Sequence, residues 1–412
     1  MKKVFTVLLA AFMILALFAC NSKTTPVASP SAASPSPSAA ASASAKPSAS
    51  AAASASASAS AAPTDVTKNA DAMGFFTDGV DPHSRKTYNI LFAYPYTLLL
   101  FTNLEATLKE LAPKLNINVL STTGEHDVDK YLTNIQTLAD QKTIDGIVII
   151  YDSSAIQRIH EVCTDTKLPF VALLNSDRDA TTQSELVPCV GSDDNQVGEV
   201  ETQWLYDNYK KYWGDIDKSQ IVLISTNASV RPNLNMRAVG SEAMFKKLLP
   251  GNKIFQLDMT QDVTQDSAYD KSSALFSAHP EIKYAFVTNS IETHAQGVAR
   301  AIDTLGINNK VLMVDVGSDV LTSEWDTSYD GAWKACLATS NYQYMSASAC
   351  AVVAMLDGKA TPDSLWKDQR APGDKCTFLN LPNQMLTKDT YKDYFNNFAK
   401  MAGSTKIPYP SK

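Results

Sequence analysis

Polar and aromatic side chains recur just after the stretches of this sequence that we predict to be buried strands. In a parallel sheet such positions gather at one edge, where open α/β proteins bind their ligands. Amide, carboxylate and guanidinium groups pair with hydroxyl groups, and aromatic faces cover the C–H side of a ring. The pattern therefore predicts a site for an uncharged, hydroxyl-rich ligand. The predicted ligand contacts are Tyr94, Tyr96, Asn175, Asp177, Arg178, Arg231, Asn235, Asn289, Asp315 and Gln343.

The same residue types also have a purely structural interpretation, because Asn, Asp and Ser cap helices and form turns. Asn175 and Asp177 could act only as caps. Tyr94 or Tyr96 could be a wall residue instead of a stacking platform. Arg237 falls inside a predicted helix, where we expect a structural ion pair.

Several functional classes are excluded by what the sequence lacks. It contains no GxSxG, HExxH or P-loop motif and no GxGxxG after a predicted strand. We therefore predict that the protein is not an enzyme and needs no cofactor. The formal net charge is −7 and no block of Lys and Arg occurs, which argues against a nucleic-acid partner.

Predicted strands and helices alternate from about residue 88 onward. Strand–helix alternation at this spacing indicates βαβ units, parallel sheets and helices on both faces. Two runs of this alternation predict an α/β protein with two doubly wound lobes. The region from about residue 85 onward has more than 300 residues, which also favours two lobes. The predicted strands are Tyr88–Tyr94, Asn116–Ser121, Gly146–Tyr151, Leu168–Leu174 and Leu186–Val190, then Gln220–Ser225, Lys253–Leu257, Tyr284–Thr288, Val311–Val316, Trp333–Thr339 and Thr377–Leu381.

The N-terminus has the features of an export signal. Lys2 and Lys3 precede an apolar run that is too short to span a bilayer stably, and the run leads directly to Cys20. Residues 1–20 resemble a bacterial lipoprotein signal peptide, which implies that Cys20 is lipidated. Residues 21–84 are rich in Ser, Ala and Pro and are predicted to be a disordered stalk. We expect a protein held by lipid at the outer face of the cytoplasmic membrane.

Five further cysteines follow Cys20, and an odd number cannot all pair. Buried free thiols are the favoured interpretation. A Cys163–Cys189 disulfide is the alternative.

Four stretches of the sequence resemble one known family. DGIVII (Asp145–Ile150) and LPFVALLNSDR (Leu168–Arg178) are similar to its third and fourth strands. GSDDNQVGEVETQWLY (Gly191–Tyr206) is similar to the string that opens its long helix. HPEIKYAFVTNSIETHAQGVARAI (His279–Ile302) matches a later strand and helix. In order and spacing they resemble the type I periplasmic binding proteins that deliver sugars to ABC importers.

The resemblance implies two lobes joined by a multi-strand hinge, with the ligand in the cleft between them. The first lobe would comprise residues 85–194 and 341–375, and the second residues 195–340 and 376–412, with crossings near Asp194, Ser340 and Cys376. It also implies a monomer that binds a sugar or short oligosaccharide and docks on an ABC permease. A ligand-sensing module for a membrane sensor kinase, or a binder of a non-sugar polar solute, is the alternative. Some relatives carry a calcium-binding loop, and residues 215–219 match its sequence only in part, so no bound metal is expected.

Overall fold

The computed structural model describes residues 76–77, 84–229, 231–259, 264–402 and 407–408. The predicted signal peptide, Cys20 and nearly all of the predicted stalk lie outside these residues. The two-residue strand Phe76–Thr77 pairs antiparallel with Ile407–Pro408.

Strand β1 (Tyr88–Tyr94) shows how the sequence builds the sheets. Ile90 and Phe92 join one hydrophobic cluster, whereas Leu91 and Ala93 join another. Successive side chains of a strand point to opposite faces of the sheet. Apolar residues at every position therefore fit a strand that is covered on both faces. The predicted strand at YNILFAY is confirmed.

The first lobe is built on a six-stranded parallel sheet with β1 in its interior. Its strand order is β2-β1-β3-β4-β5, and the late strand Phe378–Asn380 lies beside β5. The remaining elements are α1 (Leu99–Leu115), β2 (Ile117–Thr123), α2 (Val128–Asp140), β3 (Gly146–Ile150), α3 (Ile156–Asp165), β4 (Phe170–Leu173) and β5 (Cys189–Gly191).

The second lobe repeats this plan. Its strand order is β7-β6-β8-β9-β10, and the strand Gln384–Thr387 runs antiparallel beside β10. Its elements are α4 (Asp194–Trp213), β6 (Ile221–Asn227), α5 (Pro232–Leu248), β7 (Ile254–Asp258), α6 (Gln265–Ala278), β8 (Tyr284–Asn289), α7 (Glu292–Leu305), β9 (Val311–Val316), α8 (Asp319–Asp326) and β10 (Trp333–Ala338).

The chain passes between the two sheets three times. It leaves the first lobe after β5, returns after β10 through α9 (Asn341–Leu356), and leaves again between β11 (Phe378–Asn380) and β12 (Gln384–Thr387). Helix α10 (Tyr391–Ala402) then follows. The third passage lies after Asn380 and not near Cys376, because Phe378 pairs in parallel with Cys189. Residues 378–380 therefore belong to the first sheet, whereas the sequence analysis predicts residues 376–412 as part of the second lobe.

The predicted two-lobed α/β architecture is confirmed, and the predicted elements agree with the structure to within three residues at each end. Among the described helices and strands of the two lobes, helix α8 and strand β12 were not predicted. Helix α8 has eight residues and β12 has four, so neither is long enough to show a clear periodicity.

Helices α4 and α5 approach each other closely at two glycines. A Cβ atom added to Gly198 would lie 1.9 Å from the carbonyl oxygen of Arg237, and one added to Gly240 would lie 1.9 Å from that of Asn195. This contact fixes the start of α4 against α5, next to the site described below.

The five described cysteines, Cys163, Cys189, Cys336, Cys350 and Cys376, are free and buried, which confirms the prediction of buried thiols. Burial raises the pKa of the Cys163 thiol to about 12. None of the helices in the described ranges is long and apolar enough to cross a membrane.

Candidate functional site

A cleft of about 240 Å³ lies between the two lobes, where the carboxyl ends of the strands of both sheets meet. Both lobes contribute to its lining. From the first lobe come Tyr96, Leu98, Leu99, Leu100, Phe101, Leu174 and Ser192, and from the second lobe and the crossings come residues that include Asp194, Arg231, Leu234, Arg237, Glu292, Ser318, Asp319, Thr339, Asn341 and Tyr344. We call this the interlobe cleft.

Tyr96 and Arg231 connect the lobes across this cleft. Tyr96 follows β1, and its ring stacks on His126 with 4.5 Å between the ring centroids. Arg231 precedes α5 and donates a hydrogen bond of 2.8 Å from Nη1 to the phenol oxygen of Tyr96. The guanidinium carbon also lies 5.8 Å from the centre of the Tyr96 ring. The pair therefore stabilises the observed approach of the two lobes.

Asn103 and Asp319 form a second connection. Nδ2 of Asn103, in α1 of the first lobe, donates a hydrogen bond of 2.9 Å to Oδ2 of Asp319, the first residue of α8. Burial raises the pKa of the Asp319 carboxyl, and the hydrogen bond from Asn103 opposes that rise.

Glu292 starts α7 and reaches the beginning of α8. Its Oε1 accepts a hydrogen bond of 2.7 Å from the backbone N–H of Val320. Burial raises the pKa of Glu292 to about 7, and the negative charge of Asp319 acts in the same direction. A carboxyl with this pKa can donate a hydrogen bond when protonated and accept one when ionised.

Asp194 and Arg237 form an ion pair in the interlobe cleft. Arg237 Nε lies 2.6 Å from Asp194 Oδ1, and Nη1 donates to the carbonyl oxygen of Ser290 at 2.6 Å. Burial raises the pKa of Asp194, whereas the charge of Arg237 lowers it. The predicted structural ion pair of Arg237 is thus confirmed, and the same side chain also lines the cleft.

Several helices begin at the interlobe cleft with no side-chain cap. Leu98, Arg231, Ile291 and Ser318 occupy the N-cap positions of α1, α5, α7 and α8, and none of these four described residues caps its helix through its side chain. The first N–H groups of a helix need partners from outside the helix. Backbone donors are therefore concentrated at the cleft.

The sequence profile of the family described as periplasmic binding protein domain matches residues 93–360. This chain belongs to that family. The predicted type I periplasmic binding protein is therefore confirmed at the level of family and fold. A comparison with curated protein sequences gives no significant match.

Solved structures of other periplasmic binding proteins share this fold. The 5-methylthioribose transporter solute-binding protein of Thermotoga lettingae is 17% identical with a TM-score of 0.60, over 79% of this chain and 97% of that one. A glucose-galactose binding protein of Geobacillus stearothermophilus is 18% identical with a TM-score of 0.56, over 74% and 99%. A solute-binding protein of Actinobacillus succinogenes, solved with D-allose, is 17% identical with a TM-score of 0.60, over 75% and 100%.

Of the ten residues predicted to contact ligand in this periplasmic binding protein, Tyr96 and Arg231 line the interlobe cleft. Tyr94 is buried outside the lining and donates a hydrogen bond of 2.9 Å to Glu105. Asn235 is half-buried in α5, outside the lining. Ligand contact by all ten residues stays a prediction.

Beyond Leu174, the loop after β4 lies outside the lining of the cleft. Leu174 lines the cleft and has φ of 71°, in the left-handed region, so the chain turns there before Asn175. Asp177 Oδ2 then lies 3.6 Å from His160 Nδ1, and Arg178 pairs with Glu185 at 2.5 Å. Glu185, which lies in the same loop and bridges Arg178 through the backbone, thus holds Arg178 in place.

Asn289, Asp315 and Gln343 are buried outside the lining of the interlobe cleft. Asn289 donates a hydrogen bond of 2.9 Å to the carbonyl oxygen of Val314, and Asp315 accepts one of 2.8 Å from Trp333 Nε1. Within the described ranges, Asn289 Oδ1, Asp315 Oδ2 and both amide atoms of Gln343 lack a hydrogen-bond partner. Burial and the charge of Glu292 raise the pKa of Asp315 well above its usual range.

The sequence prediction missed Glu292, Asp319 and Asn341, which line the cleft as the first residues of α7, α8 and α9. The signal was present, since each follows a strand by only a few residues.

No group of three or more potential metal ligands comes together in the described part of the chain. The absence of a metal and of a cofactor stays a prediction.

Proposed function

We propose that the protein is an extracytoplasmic solute-binding lipoprotein that captures a carbohydrate by closure of its two lobes and delivers it to an ABC permease. The observation that carries the proposal is the interlobe cleft, which is lined from both lobes and crossed by the Arg231–Tyr96 and Asn103–Asp319 hydrogen bonds. We propose no catalytic step.

Closure follows from the position of these polar groups. If the lobes separate, water must solvate the groups of each lobe independently. A ligand that hydrogen-bonds to both walls is bound fully only when the lobes are together, so it shifts the population toward the closed form. The permease would then recognise the closed arrangement.

The chemistry of the cleft supports an uncharged ligand with hydroxyl groups. Arg231 supplies hydrogen-bond donors, Asp319 and Glu292 supply carboxyl oxygens, and Asn341 supplies an amide. Cationic and acidic groups occur together, so the cleft does not favour a strongly charged solute of either sign. Three structural relatives are named for, or were solved with, 5-methylthioribose, glucose or galactose, and D-allose.

The N-terminal part of the proposal rests on the sequence alone. Cys20 would carry the lipid, and residues 21–84 would separate the lobes from the outer face of the cytoplasmic membrane. We propose that the protein acts there as a monomer.

The test is a thermal-shift and calorimetric screen of the detergent-solubilised full chain. The panel contains ribose, arabinose, allose, glucose, galactose and 5-methylthioribose, with amino acids and inorganic phosphate as controls. We expect at least one carbohydrate to raise the melting temperature and to lower the radius of gyration in small-angle scattering. Arg231→Ala should weaken binding of that carbohydrate. If only amino acids or phosphate bind, the proposed ligand class is wrong.

A further inference from the structure

The loop between β2 and α2 lies against the segment that carries Tyr96. We call residues 124–127 the support loop. The backbone N–H of His126 donates a hydrogen bond of 3.3 Å to the carbonyl oxygen of Pro95. Thr97 Oγ1 donates one of 3.3 Å to Glu125 Oε1. Since the His126 ring also stacks on Tyr96, the support loop contacts three successive residues after β1.

The backbone of the support loop has an uncommon conformation. Glu125 has φ of 50° and His126 has φ of 69°, both in the left-handed region. Residues other than Gly adopt this region rarely, and they persist there only where the surrounding structure holds them. Such conformations cluster at functional sites. The conformation is therefore a second observation that indicates a role for the support loop beyond the connection of β2 to α2.

Both ends of the support loop are held within the first lobe. The backbone N–H of Glu125 donates a hydrogen bond of 3.2 Å to Thr123 Oγ1, at the end of β2. The Asp127 side chain caps α2, because its Oδ1 accepts a hydrogen bond of 2.9 Å from the Lys130 N–H. The Asp127 N–H donates to the carbonyl oxygen of Gly124 at 3.0 Å. The position of the His126 ring is therefore set by β2 and α2 and not by the second lobe.

His126 lies outside the lining of the interlobe cleft, whereas Tyr96 belongs to it. The two ring planes are only 8° apart, so the imidazole covers one face of the phenol ring. A side chain that is already held in place loses less rotamer freedom when a partner binds it. The stacked imidazole thus lowers the entropy cost of the hydrogen bond that Tyr96 accepts from Arg231.

We propose that His126 is a positioning residue for lobe closure. The support loop holds the Tyr96 hydroxyl group at the place where Arg231 reaches it when the lobes meet. It thereby raises the affinity for the ligand without contacting the ligand. This inference rests on the proposed function and deepens it, because the site concerned is the same interlobe cleft.

The test is isothermal titration of the full chain in detergent with ribose, arabinose, allose, glucose, galactose and 5-methylthioribose. His126→Asn removes the ring, and Asn is among the residues that tolerate a positive φ, so this variant should fold. An aromatic pair changes an equilibrium by roughly 2- to 12-fold. We expect His126→Asn to weaken the binding of each sugar that the parent protein binds by this factor.

Two further variants control for a merely structural effect. His126→Phe restores a flat ring and should bind each sugar as the parent protein does. Any strain that Phe adds at this positive φ is present with and without ligand, so it lowers the melting temperature and not the affinity. His279→Asn is the matched control, because the His279 ring lies 4.6 Å from that of Phe255 in the second lobe, outside the lining of the cleft. It should keep the parental affinity.

The Tyr96→Phe background tests whether His126 acts through the Tyr96 hydroxyl group. Once that hydroxyl group is removed, adding His126→Asn should change the affinity by less than about 2-fold. Equal weakening in both backgrounds, parental affinity of His126→Asn, or binding by His126→Phe as weak as that by His126→Asn would each overturn the positioning role and leave the proposed function standing. If the parent protein binds none of the sugars, the proposed function itself is wrong and this inference falls with it.

Discussion

Arg231 of the second lobe donates a hydrogen bond of 2.8 Å to the phenol oxygen of Tyr96 in the first lobe. The two residues follow β6 and β1, which occupy equivalent positions in the two sheets. A contact between equivalent loops of two similar lobes exists only when the lobes face each other closely. It is therefore a direct indicator of the closed arrangement.

We expect Tyr96→Phe to weaken ligand binding by roughly 1–3 kcal/mol, because it removes the hydrogen-bond acceptor of a charged group and keeps the ring on His126. Calorimetry measures the affinity, and small-angle scattering measures the closed fraction. Tyr391→Phe is the matched control, since the Tyr391 hydroxyl donates to Asp326 within the second lobe. Equal affinities of the two variants would contradict a role for the Tyr96 hydroxyl in closure.

Glu292 should make stability depend on pH. Its pKa is about 7 in the folded protein and near 4.5 in the unfolded chain, so between these values the folded state holds more protons. The free energy of unfolding should therefore decrease as pH rises from about 4.5 to 7, by up to about 3 kcal/mol for one such carboxyl. The raised pKa values of Asp315 and Asp319 act in the same direction.

The matched measurement uses Glu292→Gln, which stays neutral and retains an oxygen that can accept the Val320 N–H. Melting temperatures from pH 4.5 to 8 should fall less steeply for this variant than for the parent protein. Glu110→Gln, at an exposed position of α1, is the control and should follow the parent. Parallel curves for all three proteins would contradict the assignment to Glu292.

Gly240→Ala should destabilise the protein by at least 1–3 kcal/mol, because the added Cβ would lie 1.9 Å from the carbonyl oxygen of Asn195. Ala normally stabilises a helix relative to Gly. A decrease in the free energy of unfolding would therefore indicate the close contact between α4 and α5. Chemical denaturation measures the change. Val239→Ala, at the adjacent exposed position, should be neutral or slightly stabilising. A stabilised Gly240→Ala protein would mean that the two helices are farther apart.

Cys20→Ala should move the protein from the membrane fraction to the soluble fraction without changing ligand affinity, because the predicted stalk separates the anchor from the lobes. Cell fractionation and metabolic labelling with a fatty acid check the anchor. Retention of the variant in the membrane would show that the lipoprotein interpretation is wrong. Cys350→Ala, at a buried thiol in α9, is the control that keeps the anchor.

The sequence allowed the fold to be predicted more fully than the site. Strands such as Tyr88–Tyr94 carry apolar residues on both faces, and this local pattern determines where they lie. The site depends on two features that the local pattern does not contain. One is the left-handed φ of Leu174, which turns the loop that holds Asn175 and Asp177, and the other is the pairing of Arg178 with Glu185 across that loop.

The positions of residues at strand ends explain the other differences. Asn289 ends β8 and Asp315 lies within β9, so neighbouring elements cover both side chains. Glu292 and Asp319 come a few residues later, at the first turn of a helix, and reach the cleft. In this protein the first turns of the helices, and not the ends of the strands, bring these carboxyl groups to the cleft.

The late strand Phe378–Asn380 completes the first sheet beside Cys189–Gly191, after the whole second lobe has been traversed. A chain emerging from the ribosome therefore cannot complete its first sheet until the second lobe up to β10 has been made. Pairing between such distant segments is slow because the loop between them must first close. The topology thus leaves the edge of the first sheet at Cys189–Gly191 unpaired until late in folding.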